Sequence, residues 1–354
     1  MAFGTLSTLD TLAASQQTIA QFGEDRAFSA IDAALQAHNQ ILRDAMGDLV
    51  ETTTERLRRY GGPDNMSMDE VDEFGRGDAQ KITAGATVGF PLRLFDISVQ
   101  WTRKYFQNHK AAELAAQFRA ALDAHRKRQL REIKRALFKP TNNTAYLDRL
   151  IDNVNLPLRA LANADSQPIP LGPNGEVFNA ATHTHYLARV GALAASDITG
   201  VLNTVREHYA SGSLFLYINQ ASESAIRGFT SNFVAYLDAR LVAADNTLRA
   251  TGQLDQSNYY NRAIGLFDAA EVWVKPWIPA NYMVAWIRGA GVVPLVFRER
   301  DAGAGNLVVA ADDESYPLRA RTMEAEFGVG IWNRVAAAIL YTGGTSYVEP
   351  TITD

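Results

Sequence analysis

Residues 316–341 read YPLRARTMEAEFGVGIWNRVAAAILY, and this stretch decides the fold class. Met323, Ala325, Phe327, Val329 and Ile331 alternate with polar or small neighbours, the period-two signature of a strand with one covered face. The apolar stretch Val335 to Tyr341 follows. Long C-terminal strands are the expectation, although Ala336 to Ala338 would also suit a helix. Moving upstream, Leu307 to Val309, Val293 to Phe297, Met283 to Ile287 and Val272 to Val274 read as further strands.

Before these strands the pattern is mixed. Ile198, Val201, Leu202, Val205 and Tyr209 mark a short helix, Leu214 to Ile218 a buried strand, and Ile226, Phe229, Phe233, Leu237 and Leu241 a second helix. Residues 163–180 are rich in Pro, Gly and Asn and read as a junction between two bodies. The clearest helix spans 110–139, with a stripe of Leu114, Phe118, Leu122, Leu130, Ile133 and Leu137, and Pro140 stops it. Its second half carries Arg126, Lys127, Arg128, Arg131, Lys134, Arg135 and Lys139 against Glu132 alone. That is more positive charge than one helix C-terminus needs to meet its dipole.

Further upstream, Val88, Phe90, Leu92 and Leu94 alternate, and Phe95, Ile97, Val99 and Trp101 alternate in the opposite phase. A long ribbon from Thr83 to Tyr105 is expected, with a bulge or a switch of covered face between 94 and 95 and an edge at Pro91. Asp64 to Asp78 carries Asp64, Asp69, Glu70, Asp72, Glu73 and Asp78 among Met, Gly and Ser, and reads as an exposed excursion. Residues 16–59 give one sustained helical signal through Phe28, Ile31, Leu35, His38, Leu42, Met46, Leu49, Thr53 and Leu57, ended by Gly61, Gly62 and Pro63. The fold class expected is α+β.

Composition narrows the function. Of 354 residues, 47% are apolar and 21% charged, so a folded core is expected and wholesale disorder is not. The net charge of −5 discourages a tight sequence-specific nucleic-acid reader, but not a wall that encloses a nucleic acid. The absence of cysteine removes disulfides, thiolate metal sites and cysteine nucleophiles. The opening MAFGTLSTLD lacks a basic leader before an apolar run, and no stretch resembles a membrane span, so neither export nor a membrane anchor is expected.

Catalytic patterns are missing: there is no Gly-x-Ser-x-Gly elbow and no phosphate loop ending in Gly-Lys-Ser/Thr. His183 and His185 have metal-ligand spacing on a strand, yet two ligands do not make a site, and they read as surface or junction histidines. His109, His125 and His208, on or beside helices, read as capping or snorkelling residues. No catalytic, cofactor-binding or metal-ligating residue is therefore expected. Trp273, Trp277, Trp286 and Trp332, with Tyr259, Tyr260, Tyr282, Tyr316 and Tyr341, read as core and subunit contacts.

Three segments together carry a family resemblance: Ala270-Glu271-Val272-Trp273-Val274-Lys275-Pro276-Trp277-Ile278-Pro279 with Tyr282, Val293-Pro294-Leu295-Val296-Phe297-Arg298-Glu299-Arg300, and Tyr316 to Ala320 continuing through Glu326 to Ala337. In these, the chain resembles the major capsid proteins of tailed bacteriophages, and the order of upstream elements is similar too. The resemblance implies an N-terminal arm over 1–60, an extended loop over 61–103, and a peripheral domain over 104–175 whose spine is helix 110–139. It further implies an axial domain over 176–310 and strands over 311–354 that return to the peripheral domain. It implies no enzyme. The expected function is a structural subunit that self-assembles into pentamers and hexamers of an icosahedral virion shell around double-stranded DNA in the host cytoplasm. The expected partners are further copies of itself, scaffolding protein, portal protein and a decoration protein.

Unlike family members with a long N-terminal scaffolding segment, this chain reaches its arm almost at once, and Met1 favours a separate scaffolding protein over a removed segment. No motif selects a partner for a lysine–asparagine crosslink at Lys81. Asp69, Glu70, Asp72 and Glu73 are expected to meet Arg126, Lys127, Arg128 and Arg131 of a neighbouring subunit. In the alternative, Arg131, Lys134, Arg135 and Lys139 face DNA. A cellular nanocompartment shell of the encapsulin type is the rival within this fold. A small-molecule-binding protein or enzyme of mixed α/β fold is the rival outside it.

Overall fold

The computed structural model describes residues 9–46, 49–60, 68, 70–79, 85–236, 262–289 and 292–352. The chain opens with three helices, α1 (Leu9–Ala14), α2 (Ile19–Phe22) and α3 (Glu24–Met46). Thr18 and Gln21 close a reciprocal capping box at the start of α2. Phe28, Ile31 and Leu35 of α3 are buried as the spacing predicts. The helical signal does not run on to 59. Val50–Thr53 is strand β1, aligned in parallel with residues 295–298, and Leu57–Tyr60 is strand β2. Val50, Thr52, Thr53 and Thr54 form a β-branched cluster that loses rotamer freedom in a helix, and an available sheet edge takes it up. The glycines and proline expected to end the helix, Gly61, Gly62 and Pro63, lie outside the described residues.

Next come β3 (Ala86–Gly89), β4 (Arg93–Thr102), α4 (Arg103–Asn108), α5 (Ala111–Phe138), β5 (Asn143–Leu147) and β6 (Asn155–Leu158). The ribbon expected over 83–105 is two pieces: β3 pairs antiparallel with β2, and β4 joins a larger sheet. Between them Phe90, Pro91 and Leu92 form a buried crossing, and beyond it Leu94 is 49% exposed while Phe95, Ile97, Val99 and Trp101 turn inward. The phase change is real and begins at this crossing. It passes directly over Gly328, where an added Cβ would lie 2.1 Å from the Pro91 carbonyl oxygen.

The remaining elements are β7 (Tyr186–Ala188), α6 (Ala195–Arg206), β8 (Ser213–Ile218), α7 (Glu223–Arg227), β9 (Phe233–Ala235), β10 (Arg262–Phe267), β11 (Ala270–Val274), β12 (Tyr282–Arg288), β13 (Leu295–Glu299), β14 (Val308–Ser315), β15 (Leu318–Ile331) and β16 (Ala337–Tyr341). The helix expected from Ile226 to Leu241 stops at Gly228. A Thr-Ser-Asn turn follows, and Phe233 pairs with Phe267 in a sheet. Leu237 and Leu241 lie outside the described residues.

Two main sheets result. A five-stranded sheet runs β1-β13-β15-β14, with β4 also paired to β15 along residues 318–327. A seven-stranded sheet runs β7-β16-β12-β8-β11-β10-β9. Met323, Ala325, Phe327, Val329 and Ile331 are all buried in the main core with α5 packed on β15, the covered face that the alternation predicts. Strand β12 is covered on both faces, its residues Tyr282 to Ile287 all being buried.

The sheets cross the division expected at 310. Strand β13 belongs to the sheet of β15, and β16 inserts beside β12 in the other. The turn between β15 and β16 is pinned to the 160–165 segment: buried Arg334 donates to the carbonyls of Ala160 (2.8 Å) and Leu161 (3.3 Å) and pairs with Asp165 at 2.7 Å. A buried guanidinium needs such a full set of acceptors.

Candidate functional site

Three places gather the candidate side chains. The first is the acidic arm between β2 and β3. Residues 70–79 are exposed throughout and belong to no helix or strand. Glu70, Asp72 and Glu73 stand in solvent, and Phe74, 92% exposed, and Met68 stand there with them. Asp69 and Lys81 lie outside the described residues.

The second place is the C-terminal half of α5. Here the buried stripe continues through His125, Gln129 and Glu132, while Leu130, expected on that stripe, is only half-buried. Glu132 gathers Arg93 (3.2 Å), Arg128 (3.3 Å) and Arg135 (3.2 Å), and Arg128 also lies 4.2 Å over the Phe95 ring. Three cations thus find their counter-charge within their own chain. Arg126 and Lys127 are exposed, and Arg126 pairs with Asp123 one turn away. Lys134 is half-buried, and that burial holds its ammonium below the usual lysine range. Arg93, Arg135, Lys139 and Arg159 line an open groove of about 460 Å³ with Glu132. Among the described residues, no ion pair joins the acidic arm to α5 of the same chain.

The third place brings together residues that the sequence leaves apart. His183 lies just beyond the 163–180 junction, His185 immediately precedes β7, and His208 follows the end of α6. Their Nε2 atoms lie 3.0 Å (183–185), 3.0 Å (183–208) and 3.1 Å (185–208) from one another. His185, expected as a surface or junction residue, is fully buried, and His208, expected to cap or snorkel, is nearly so, which rules out the surface and the snorkelling roles. His185 Nδ1 sits 2.7 Å from the Ala337 carbonyl oxygen in β16. The Glu207 carboxylate lies 3.7 Å from His183 Nε2 and 3.9 Å from His208 Nε2. Burial holds His183 below its ordinary value; burial and then the neighbouring rings push His208 down to about 3 and hold His185 well below the usual histidine range. Burial raises the Glu207 carboxyl. Sequence spacing could find the His183-x-His185 pair, but His208 is 23 residues further on and only the packing of α6 delivers it.

A smaller pair, His38 Nε2 to His125 Nδ1 at 3.1 Å, links α3 to α5, so His125 is a buried contact and not a snorkelling one. Trp286 and Tyr282 are core residues as expected, whereas Tyr316 is 84% exposed and Tyr259 and Tyr260 lie outside the described residues. No described helix is long and apolar enough to cross a membrane.

No family model and no curated protein matches the sequence. Among solved structures, one from Mycobacterium phage Patience is similar over 99% of this chain and 97% of its own, with 20% identity and a TM-score of 0.67. The fold is that of the phage capsid proteins. More distant likenesses include the capsid of a native GTA particle (12% identity, 85% of this chain and 90% of that one, TM-score 0.48). Another is the SrpI encapsulin complex from Synechococcus elongatus PCC 7942 (13% identity, 88% and 90%, TM-score 0.44). Within this capsid fold the acidic arm springs from the β2–β3 pair, the cationic groove follows α5, and the histidines sit where the junction meets the seven-stranded sheet.

Proposed function

We propose that the chain is a major capsid protein of a tailed bacteriophage, a non-enzymatic subunit that self-assembles into the pentamers and hexamers of an icosahedral shell around double-stranded DNA. The observation that carries this reading is the end-to-end likeness to a phage structure at a TM-score of 0.67. The arm supports it. An extended segment that holds Phe74 and Met68 in water loses hydrophobic stabilisation unless a neighbour covers them. In this reading the N-terminal helices are the N-arm, the segment between β2 and β3 is the extended loop, α5 is the spine, and the seven-stranded sheet lies in the axial domain. Assembly takes place in the host cytoplasm with scaffolding, portal and decoration proteins as partners, and the subunit ends in the virion.

The arm of one subunit meets the next through Glu70, Asp72 and Glu73, with Asp69 beside them. Arg126 and Lys127, exposed on α5, are the first partners in this reading, and Arg128 and Arg131 stand behind them. Such rim pairs set register more than affinity. The groove favours a second role for the same helix: Arg135 and Lys139 line it, and with Arg131 and Lys134 they offset phosphate charge without reading sequence.

The test is assembly. Purified protein, alone or with its scaffolding partner, should form particles or five- and six-membered capsomers by light scattering and negative-stain microscopy. A monomer persisting under all assembly conditions sinks the proposal. Particles that enclose a cargo enzyme in place of DNA would identify a nanocompartment. Deleting residues 66–81 should leave a folded subunit that no longer forms particles. Arg131, Lys134, Arg135 and Lys139 changed together to Gln should abolish particles if they are contacts. If they face DNA, salt-dependent DNA binding by capsomers is lost instead, each phosphate contact contributing about 0.9 to the salt slope.

A further inference from the structure

The three Nε2 atoms of His183, His185 and His208 form a nearly equilateral triangle with sides of 3.0–3.1 Å. Hydrogen bonding alone does not satisfy it. His185 Nδ1 faces a carbonyl oxygen at 2.7 Å, which can only accept, so the ring's proton is on Nδ1 and its Nε2 presents a lone pair. Two further ring nitrogens converge on that lone pair from hydrogen-bond distance. Three neutral imidazoles in this arrangement leave at least one like pair facing each other, lone pair to lone pair or N–H to N–H, and a cation in the middle, with all three nitrogens as lone-pair donors, removes that conflict.

We infer that His183, His185 and His208 form a binding site for a divalent transition-metal ion, fitted best to Zn²⁺, with the Glu207 carboxylate placed as a fourth ligand. The dimensions agree. An ion about 2.0–2.1 Å from each imidazole nitrogen sits roughly 1 Å above the triangle, and an ideal tetrahedral set would space the nitrogens by about 3.3 Å. Opening the triangle by a few tenths of an ångström therefore completes the geometry. Glu207, whose side chain is 42% exposed, approaches two of the nitrogens at 3.7 and 3.9 Å. Three imidazoles with one carboxylate suit zinc, copper, iron or nickel and disfavour calcium and magnesium, which demand oxygen shells.

The surroundings support a built site. The Ala337 carbonyl orients His185 as a metal-bound imidazole is usually oriented. Phe178 covers the rings of His183 and His208, with centroids 5.0 and 4.2 Å away. His208 Nδ1 is buried and has no such acceptor among the described residues, so one second-sphere contact is missing. The site ties the end of the junction, the entry to β7 and the end of α6 into one knot. An ion there is a structural staple for the seven-stranded sheet, and its binding adds directly to folding stability.

The experiment uses the full chain, dialysed against chelator and titrated with ZnCl₂ in a calorimeter, with Co²⁺ absorption as a spectroscopic reporter. Saturation at one Zn²⁺ per chain is expected, with a thermal midpoint that rises on adding Zn²⁺ and falls with EDTA. His183→Ala, at the rim, should keep the wild-type circular dichroism spectrum and weaken binding by about 100-fold or more. That exceeds the 10–100-fold cost of losing only an orienting partner. Glu207→Gln should weaken it less and shift the Co²⁺ spectrum. No saturable binding by the wild type, or an unchanged isotherm in His183→Ala, overturns the inference. The wild-type melting curves with and without EDTA decide it even if a variant fails to fold.

Discussion

In the first half of α5, Leu114, Phe118 and Ala121 turn toward the core. In the second half, His125, Gln129 and Glu132 occupy the continuation of that face. Both halves are buried, by different means. The first rests on area removed from water, which is indifferent to orientation. The second adds to its apolar residues Ile133, Leu137 and Phe138 a polar stretch that works only if each group finds its partner: His38 for His125, and Arg93, Arg128 and Arg135 for Glu132. The apolar half supplies adhesion, and the polar half fixes where along β4 and α3 the helix must sit.

The largest effect expected from breaking this comparison is at Phe118, which is 1% exposed among Trp101 and other core residues. Phe118→Ala should lower subunit stability by about 4 kcal/mol, read as a shift of the urea midpoint. A loss below about 1 kcal/mol would show that the apolar half does not anchor the helix. Glu132→Gln should cost less, about 2–3 kcal/mol. Removing one partner of a buried pair costs more than this, but these arginine side chains keep 29–40% of their exposure and solvent screens them. Equal stability of Glu132→Gln and wild type would make the cluster irrelevant to packing.

The smallest effect is a pH slope. His125 is pushed down to about 4 by burial, then by the facing His38, against an ordinary value of 6.5. Between those values the unfolded chain binds the proton and the folded one does not, so stability falls as pH drops from about 6.5 toward 4. At about pH 5.5 this one group should account for about 1.3 kcal/mol relative to pH 7.5. His125→Gln should flatten the pH dependence of the midpoint by that amount, whatever its effect at pH 7.5. An unchanged slope would show that the ring accepts a proton in place.

This contrast also separates what is legible in the sequence from what is not. Helix α5 was expected over 110–139 and spans Ala111–Phe138, and the strands of the C-terminal third fall where alternation placed them. Period alone carries that information. It does not report a partner. The stripe through Thr53 and Leu57 has helical spacing, but an exposed edge at β13 was available and the β-branched residues took it. The stripe through Phe233 has helical spacing too, yet β10 claims it. Polar core positions are invisible for a related reason. His125, Glu132 and His208 look like surface residues until distant segments supply what satisfies them.

The Phe90–Leu92 crossing has a consequence for cleavage. The arm leaves one edge of the five-stranded sheet at β1 and re-enters at the opposite side through β4, since the order across it is β1-β13-β15 with β4 beyond. A protease that nicks residues 70–79 therefore cuts between two independently held pieces. The shorter one keeps β1 in register with β13 and its helices in the main core, and the longer one keeps everything else. The clipped molecule should migrate as one species in a native gel and come apart into two bands only in denaturant, so proteolytic nicking would disable the arm without dismantling the subunit that carries it.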